Sequence, residues 1–342
     1  MVRMRDLIGG GGEGDPAKKP LPSRPDVRFP AASGGRAEAA RPAAPAVGED
    51  PGALFTELHV LMAELHDAVS RGASLPIGPL EAMVGRVIQA LEHGSDLFWL
   101  ANNPAPPGAD YVASHLASAG VLAVRIGADL GYDRPQLVDL GVAAFLFDVG
   151  VWKLPAGLLA KADALTADEQ ALYHSHPRLS AEFIRRSDVQ RDGLLEAVLE
   201  HHEREQGQGY PQGLPGSAIH PHAKILGLVD TYTRLTSPRP PQARLLPHEA
   251  IREIVRSKHE SFPSALIKAL LSEISVFPPR TLVRLNTGEV GRVVGVNRNH
   301  PLRPKVEILS DSKGNRLPAP KLVDLSEAPF LYITAPLQEA GA

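Results

Sequence analysis

Two adjacent imidazoles and a carboxylate, His201-His202-Glu203, run into the glycine-rich segment Gly207-Gln208-Gly209-Tyr210-Pro211-Gln212-Gly213-Leu214. Neutral imidazole is the commonest protein ligand for a transition metal, and a Gly-rich loop lets the backbone approach a bound group closely. Successive side chains on regular backbone point apart, so both imidazoles can serve one site only where a helix ends. A His pair alone reads equally well as a solvated helix end, so further donors are needed. His115 lies among Val112, Leu116 and Ala119, where a lone histidine can also be a satisfied core residue. Asp148 ends the apolar run Val142-Ala-Ala-Phe-Leu-Phe147, and Asp230 ends Ile225-Leu-Gly-Leu-Val. His176 precedes Pro177 at a helix break. A carboxylate in such apolar company is costly to bury without a partner. Together these six residues, His115, Asp148, His176, His201, His202 and Asp230, suit a pair of divalent ions such as Fe, Mn or Zn.

The elements that must position these donors are mostly helices. Apolar residues recur at helical spacing from Pro51 (Leu54, Leu58, Leu61, Met62, Leu65), with a second helix from Pro79 through Leu91. We expect residues 51–103 to form a small helical N-terminal module that could serve as an input or dimer surface. A long amphipathic helix is expected from Ala109 to Leu130, closed by Gly131. Helices are expected over 135–147, 166–176, 178–186, 193–202, 221–236, 246–258 and 263–273. Thr166-Ala-Asp-Glu169 is a capping-box pattern at one of these starts. After Phe277-Pro278-Pro279 the pattern becomes strand-like at 282–285, 291–296, 305–309 and 330–334, with turns at Asn286-Thr287-Gly288 and Asp311-Ser312-Lys313-Gly314. The expected fold class is therefore mainly α: a helical domain at 109–275 between the N-terminal module and a short antiparallel β module at 278–336.

Composition narrows the chemistry. The 342 residues carry a net charge of −3, with 22% charged residues, which gives no basic excess to favour nucleic acid. Cysteine is absent, so thiolate nucleophiles, disulfides and Cys-ligated zinc are excluded, leaving His, Asp and Glu as metal ligands. No apolar run approaches the roughly 20 residues of a membrane span, and a cytoplasmic location with no membrane partner is expected. Residues 1–50, rich in Gly, Pro, Ala and Arg, are expected to be a disordered tail.

From about Ala109 to Glu273 the chain resembles the HD-GYP domain, the bacterial branch of the HD phosphohydrolase superfamily. The resemblance rests on His201-His202-Glu203, Gly207 to Leu214, Ala223 to Asp230, and Leu235-Thr236-Ser237-Pro238-Arg239-Pro240. It implies an HD-type helical bundle that hydrolyses cyclic di-GMP with bound divalent ions, Fe or Mn, one or two here. It further implies that His115, Asp148 and Asp230 hold one ion, that Asp148, His176, His201 and His202 hold a second with Asp148 bridging, that Arg239 holds substrate phosphate, and that Tyr210 and Pro211 form the loop at the nucleotide. Several positions depart from the family pattern. The name-giving His-Asp is Phe147-Asp148, and the lysine expected soon after is Val151, with Lys153 two positions on. Gln206 replaces an Asp, Gln242 a basic residue and Ser180 a glycine. Clustered near one site, these departures lead us to expect a degenerate signalling member that binds metal, a cyclic dinucleotide or a protein partner with reduced or no hydrolysis. An active phosphodiesterase is the alternative.

Overall fold

A computed structural model describes residues 49–337 apart from short stretches at 104–107, 162–164, 240–241, 275–276, 278–280, 298–299 and 301–302 and a few single positions. Of the tail expected at residues 1–50, residues 1–48 lie outside the described residues. Among the described residues, twelve α-helices are followed by five strands: α1 (Pro51–Arg71), α2 (Ile77–Glu92), α3 (Leu97–Ala101), α4 (Tyr111–Asp129), α5 (Arg134–Leu146), α6 (Ala156–Leu159), α7 (Ala167–Tyr173), α8 (His176–Arg186), α9 (Leu194–Leu199), α10 (Pro221–Thr236), α11 (Pro247–Ser257), α12 (Ser264–Glu273), β1 (Leu282–Leu285), β2 (Val290–Gly295), β3 (Lys305–Ser310), β4 (Arg316–Asp324) and β5 (Ile333–Leu337). This is the mainly helical bundle with a C-terminal antiparallel sheet that the sequence leads one to expect.

Local chemistry sets the helix starts. Asp50 caps α1 by accepting from Ala53 N at 2.9 Å, and Asp110 caps α4 by accepting from Ala113 N at 3.1 Å. At α5, Asp133 and Gln136 make a reciprocal capping box, as Thr166 and Glu169 do at α7.

The centre is the pair α4 and α5. Fifteen of the nineteen residues of α4 are buried, so the helix expected to be amphipathic is apolar nearly all round and forms the middle of the bundle. Glycines let the two helices approach: a Cβ on Gly120 would lie 2.0 Å from the Phe145 ring. Helices Tyr111–Asp129 and Arg134–Lys153 are long and apolar enough to cross a membrane by length and composition, contrary to the expectation of no such run. They are 78% and 72% buried inside the fold, where burial accounts for their composition. The apolar faces of α1 and α2 join the same core, which extends from Leu54 to Leu325.

Four boundaries differ from expectation, each at a place where tertiary contacts override local pattern. The helix expected over 166–176 stops at Tyr173, and His176 instead opens α8, with Pro177 in its first turn. The helix expected to reach His202 ends at Leu199. The strand expected at 330–334 begins only at Ile333. Strand β4 was not expected, because its burial pattern is exposed over most of its length and its alternation is therefore absent. In the sheet, order β4-β3-β2-β1-β5, all neighbours are antiparallel. Val283, Leu285, Val293, Val306 and Ile308 form its buried side.

Candidate metal centre and its cleft

The six candidate donors come from five helices or their ends, and all are buried. His115 lies in the second turn of α4, and Asp148 follows the Phe147 C-cap of α5 at the start of a 3-10 turn, Val149–Lys153. His176 opens α8, His201 and His202 follow α9, and Asp230 sits in mid-α10. Gly150 makes this packing feasible. A Cβ there would lie 2.4 Å from the His176 carbonyl, while its amide donates to Ser180 Oγ at 2.8 Å. The serine in place of the expected glycine is thereby absorbed as a hydrogen-bond acceptor.

The donors form two groups that share Asp148. One is Asp148, His176, His201 and His202; the other is His115, Asp148 and Asp230. In the first, Nδ1 of His176 faces the Tyr173 carbonyl at 2.6 Å and Nδ1 of His201 faces the Val198 carbonyl at 2.7 Å. A carbonyl only accepts, so each Nδ1 donates and each Nε2 of the neutral ring keeps a bare lone pair. Those two Nε2 atoms are 3.4 Å apart, and His202 Nε2 is 3.0 Å from that of His176. Asp148 Oδ1 is 3.1 Å from His176 Nε2 and 3.4 Å from His201 Nε2, yet receives no hydrogen bond. The Nε2 lone pairs of His176 and His201 converge with Asp148 Oδ1, an arrangement that suits a divalent cation, so this donor set fits a metal ion.

Protonation agrees with that reading. Burial pushes the His176 imidazole below its ordinary value despite Asp148, and pushes His202 well below it, with His201 and His176 adding to the effect. Both rings are therefore neutral near pH 7.

The second group contains a residue that sequence reasoning missed. Arg234, one turn after Asp230, donates from Nε to Asp230 Oδ1 at 2.6 Å and from Nη2 to Asp148 Oδ2 at 3.4 Å. His115 Nε2 lies 3.1 Å from the same Asp230 oxygen. Burial opposes ionisation of Asp230, while the Arg234 charge and the His115 hydrogen bond hold its carboxyl well below the ordinary value. The i, i+4 spacing of Asp230 and Arg234 was a readable signal, but equally that of a surface ion pair. Phe147 is fully buried and edge-on to both His115 (5.7 Å) and His201 (4.9 Å). Val151 is likewise fully buried, and Lys153 Nζ lies over the Phe183 ring at 6.0 Å.

A cleft of about 770 Å³ opens beside the donors, lined by His202, Asp230, Arg234, Arg239, Tyr111, Tyr173 and Tyr210 among others. Arg239 lies over Tyr111 and Tyr173 at 5.0 and 5.3 Å and donates to the Tyr173 hydroxyl at 3.2 Å. Tyr210 is held between His174 (3.7 Å) and His202 (4.5 Å), both stacked on its ring. Its faces are thus occupied by protein, and it meets the cleft with its edge and hydroxyl. Pro211 is exposed beside it. The loop is tied to the donors by Glu203, whose carboxylate accepts from Gln212 N at 2.7 Å and Leu214 N at 2.9 Å. Gln206, expected near the loop in place of an Asp, donates to Glu260 at 3.1 Å, and Gln242 lines the cleft. His220 Nδ1 accepts from His222 N at 3.2 Å, so it acts as a helix cap.

Comparison with known proteins agrees with this geometry. Residues 108–266 match the HD domain, and residues 282–341 match a KOW domain associated with HD domain. A cyclic di-GMP phosphodiesterase of Pseudomonas aeruginosa is 28% identical over 64% of this chain and 53% of its own length. Another, of Borreliella burgdorferi, is 24% identical over 59% of this chain and 53% of its own length. Residues 108–266 are thus an HD domain similar to those of cyclic di-GMP phosphodiesterases. The chain spans about half the length of these curated relatives. An HDG"Y"P protein from Bdellovibrio bacteriovorus is similar to this chain in fold, with a TM-score of 0.52 at 17% identity over 64% of this chain and 68% of that one. Among the described residues, the buried His/Asp groups of this HD domain are able to hold a divalent metal.

Proposed function

We propose that the helical domain is a signalling module that binds divalent metal, Fe or Mn, together with a cyclic dinucleotide, and that it hydrolyses the nucleotide slowly or not at all. The observation that carries this reading is Phe147. An apolar ring, fully buried between His115 and His201, stands where the family motif has its first histidine. Val151 places a second apolar side chain where a lysine is expected, so no cation stands there to meet developing phosphoryl charge. When bound, divalent ions in such sites polarise a phosphoryl oxygen and lower the pKa of coordinated water.

The chain's own residues serve binding. Asp148, His176, His201 and His202 would hold the ion, with Nδ1 contacts to Tyr173 and Val198 fixing two rings. Arg239 offers a planar guanidinium for phosphate, steadied by two tyrosine rings. Tyr210, buried against two imidazoles, shapes the cleft wall. Burial pushes the Tyr210 phenol far above its ordinary value, so it stays a neutral donor. We place the protein in the cytoplasm, where partner signalling proteins or a second copy of the chain would read its state.

One observation favours the second reading, an active cyclic di-GMP phosphodiesterase: the four-residue donor group is intact. Purified protein loaded with Mn or ferrous Fe, assayed for linearised dinucleotide and GMP beside the double variant Phe147→His, Val151→Lys, separates the two. Wild-type turnover that disappears in Asp148→Ala would sink the binding-only reading. Turnover confined to the double variant would sink the enzyme reading.

A further inference from the structure

We propose that this chain holds a single metal ion, in the Asp148, His176, His201 and His202 group, and that Arg234 supplies by its own guanidinium the positive charge at His115, Asp148 and Asp230. The inference rests on the metal reading above and assigns each of the two donor groups a different cation.

The two groups differ in how their lone pairs are used. In the first, the Nε2 atoms of His176, His201 and His202 and Asp148 Oδ1 face one another, and backbone carbonyls occupy Nδ1 of His176 and His201. No side-chain proton enters that convergence through Asp148 Oδ1, which receives no hydrogen bond. In the second, the oxygens that a cation would use are already engaged. Asp230 Oδ1 accepts from Arg234 Nε at 2.6 Å, and Asp148 Oδ2 accepts from Arg234 Nη2 at 3.4 Å. The guanidinium thus joins carboxylates from two separate elements, the α10 helix and the turn after α5, as a bridging cation would.

Sterics and charge point the same way. Phe147 presents ring edges to His115 and His201, so the second group has three donor residues and an apolar neighbour in place of a fourth. A dication beside a guanidinium would meet like charge in a site where both acids are at least 98% buried and screening is weak. Arginine stays protonated under all ordinary conditions, so its charge is permanent. The Arg234 side chain keeps 30% of its surface exposed and lines the cleft with Arg239, which presents this fixed charge to an anionic ligand. A chain built this way retains electrostatic attraction for a phosphodiester while lacking the paired ions that clamp attacking and leaving oxygens.

The test is metal stoichiometry on the full chain. Protein loaded anaerobically with Mn(II) and desalted is expected to keep about one ion per chain by elemental analysis. His176→Ala is expected to lose that ion, and His115→Ala to retain it. The double variant Arg234→Ala, Phe147→His is expected to take up about two. Electron paramagnetic resonance of the wild-type Mn(II) protein needs no variant, and the hyperfine pattern of an isolated ion is expected. Two ions in the wild type, an exchange-coupled spectrum, loss of the ion in His115→Ala, or a double variant that stays at one ion while melting cooperatively would each overturn the inference. A wild-type protein that keeps no metal would instead overturn the metal reading on which it rests.

Discussion

At the residue scale, the deciding contrast is between Phe147 and Glu203, two fully or nearly fully buried side chains with opposite chemistry. Phe147 fills its place by packing alone, so Phe147→Ala should cost about 3–5 kcal/mol of stability, readable as a lower denaturant midpoint. Glu203 holds the Gly-Tyr-Pro loop by accepting from two backbone amides, Gln212 N and Leu214 N. Glu203→Ala would leave both amides short of a partner and should destabilise by about 2–4 kcal/mol, with faster hydrogen exchange at those two amides. A global loss of stability without local exchange at 212 and 214 would contradict this assignment. Glu203 was visible in the sequence only as part of a motif. Its role depends on a loop returning eleven residues later, which no local pattern encodes.

At the element scale, the site depends on how closely α4 and α5 approach. Gly120 touches the Phe145 ring so tightly that Gly120→Ala should overpack the crossing and cost about 1–3 kcal/mol, even though alanine is the better helix former. A stabilised Gly120→Ala protein would show that the crossing yields. Asp110 is the second lever on α4. It caps the helix through Ala113 N, accepts from Trp152 Nε1 at 3.1 Å, and meets His66 Nδ1 at 2.8 Å. Asp110→Ala should therefore cost more than an ordinary cap, about 2 kcal/mol or somewhat above, measured by thermal unfolding. The sequence pattern started this helix at Ala109 and so passed over the Asp110 cap, as it did the contacts from α1 and the turn after α5.

At the scale of the whole molecule, metal and pH should both move stability. A ligand that binds only the folded chain stabilises by mass action, about 2.7 kcal/mol at a hundredfold excess over its dissociation constant. Mn(II) should raise the melting temperature and a chelator reverse it, and His201→Ala should abolish the response. His222 provides a pH effect outside the metal centre. Burial pushes its imidazole down to about 4. The unfolded ring protonates near its ordinary value of about 6.5, so between there and about 4 the unfolded state binds the extra proton. Stability contributed by keeping His222 neutral is thus complete above about pH 6.5 and is lost as pH falls towards 4, by no more than about 3 kcal/mol. His222→Gln should flatten stability over that window, and an unchanged slope would remove His222 as its source.

By itself the sequence determined most of the longer helices, the start of α7, and which residue types can hold a metal. Those features depend on hydrophobic period, on caps such as Thr166 with Glu169, and on His and Asp chemistry, all readable within a few residues. It also exposed Phe147 and Val151 as departures, because motif positions are local. Only the tertiary structure decided that His115, Asp148, His176, His201, His202 and Asp230 meet, since they arrive from five separate elements. Only there does Arg234 cease to be an i, i+4 partner on a helix surface and become a bridge between the buried carboxylates of Asp230 and Asp148. Strand β4 belongs to the same class, because an exposed strand carries no alternation and is defined by its pairing with β3. The physical reason is common to all three. Burial and long-range pairing set the energy of these residues, and neither is a property of the segment that carries them.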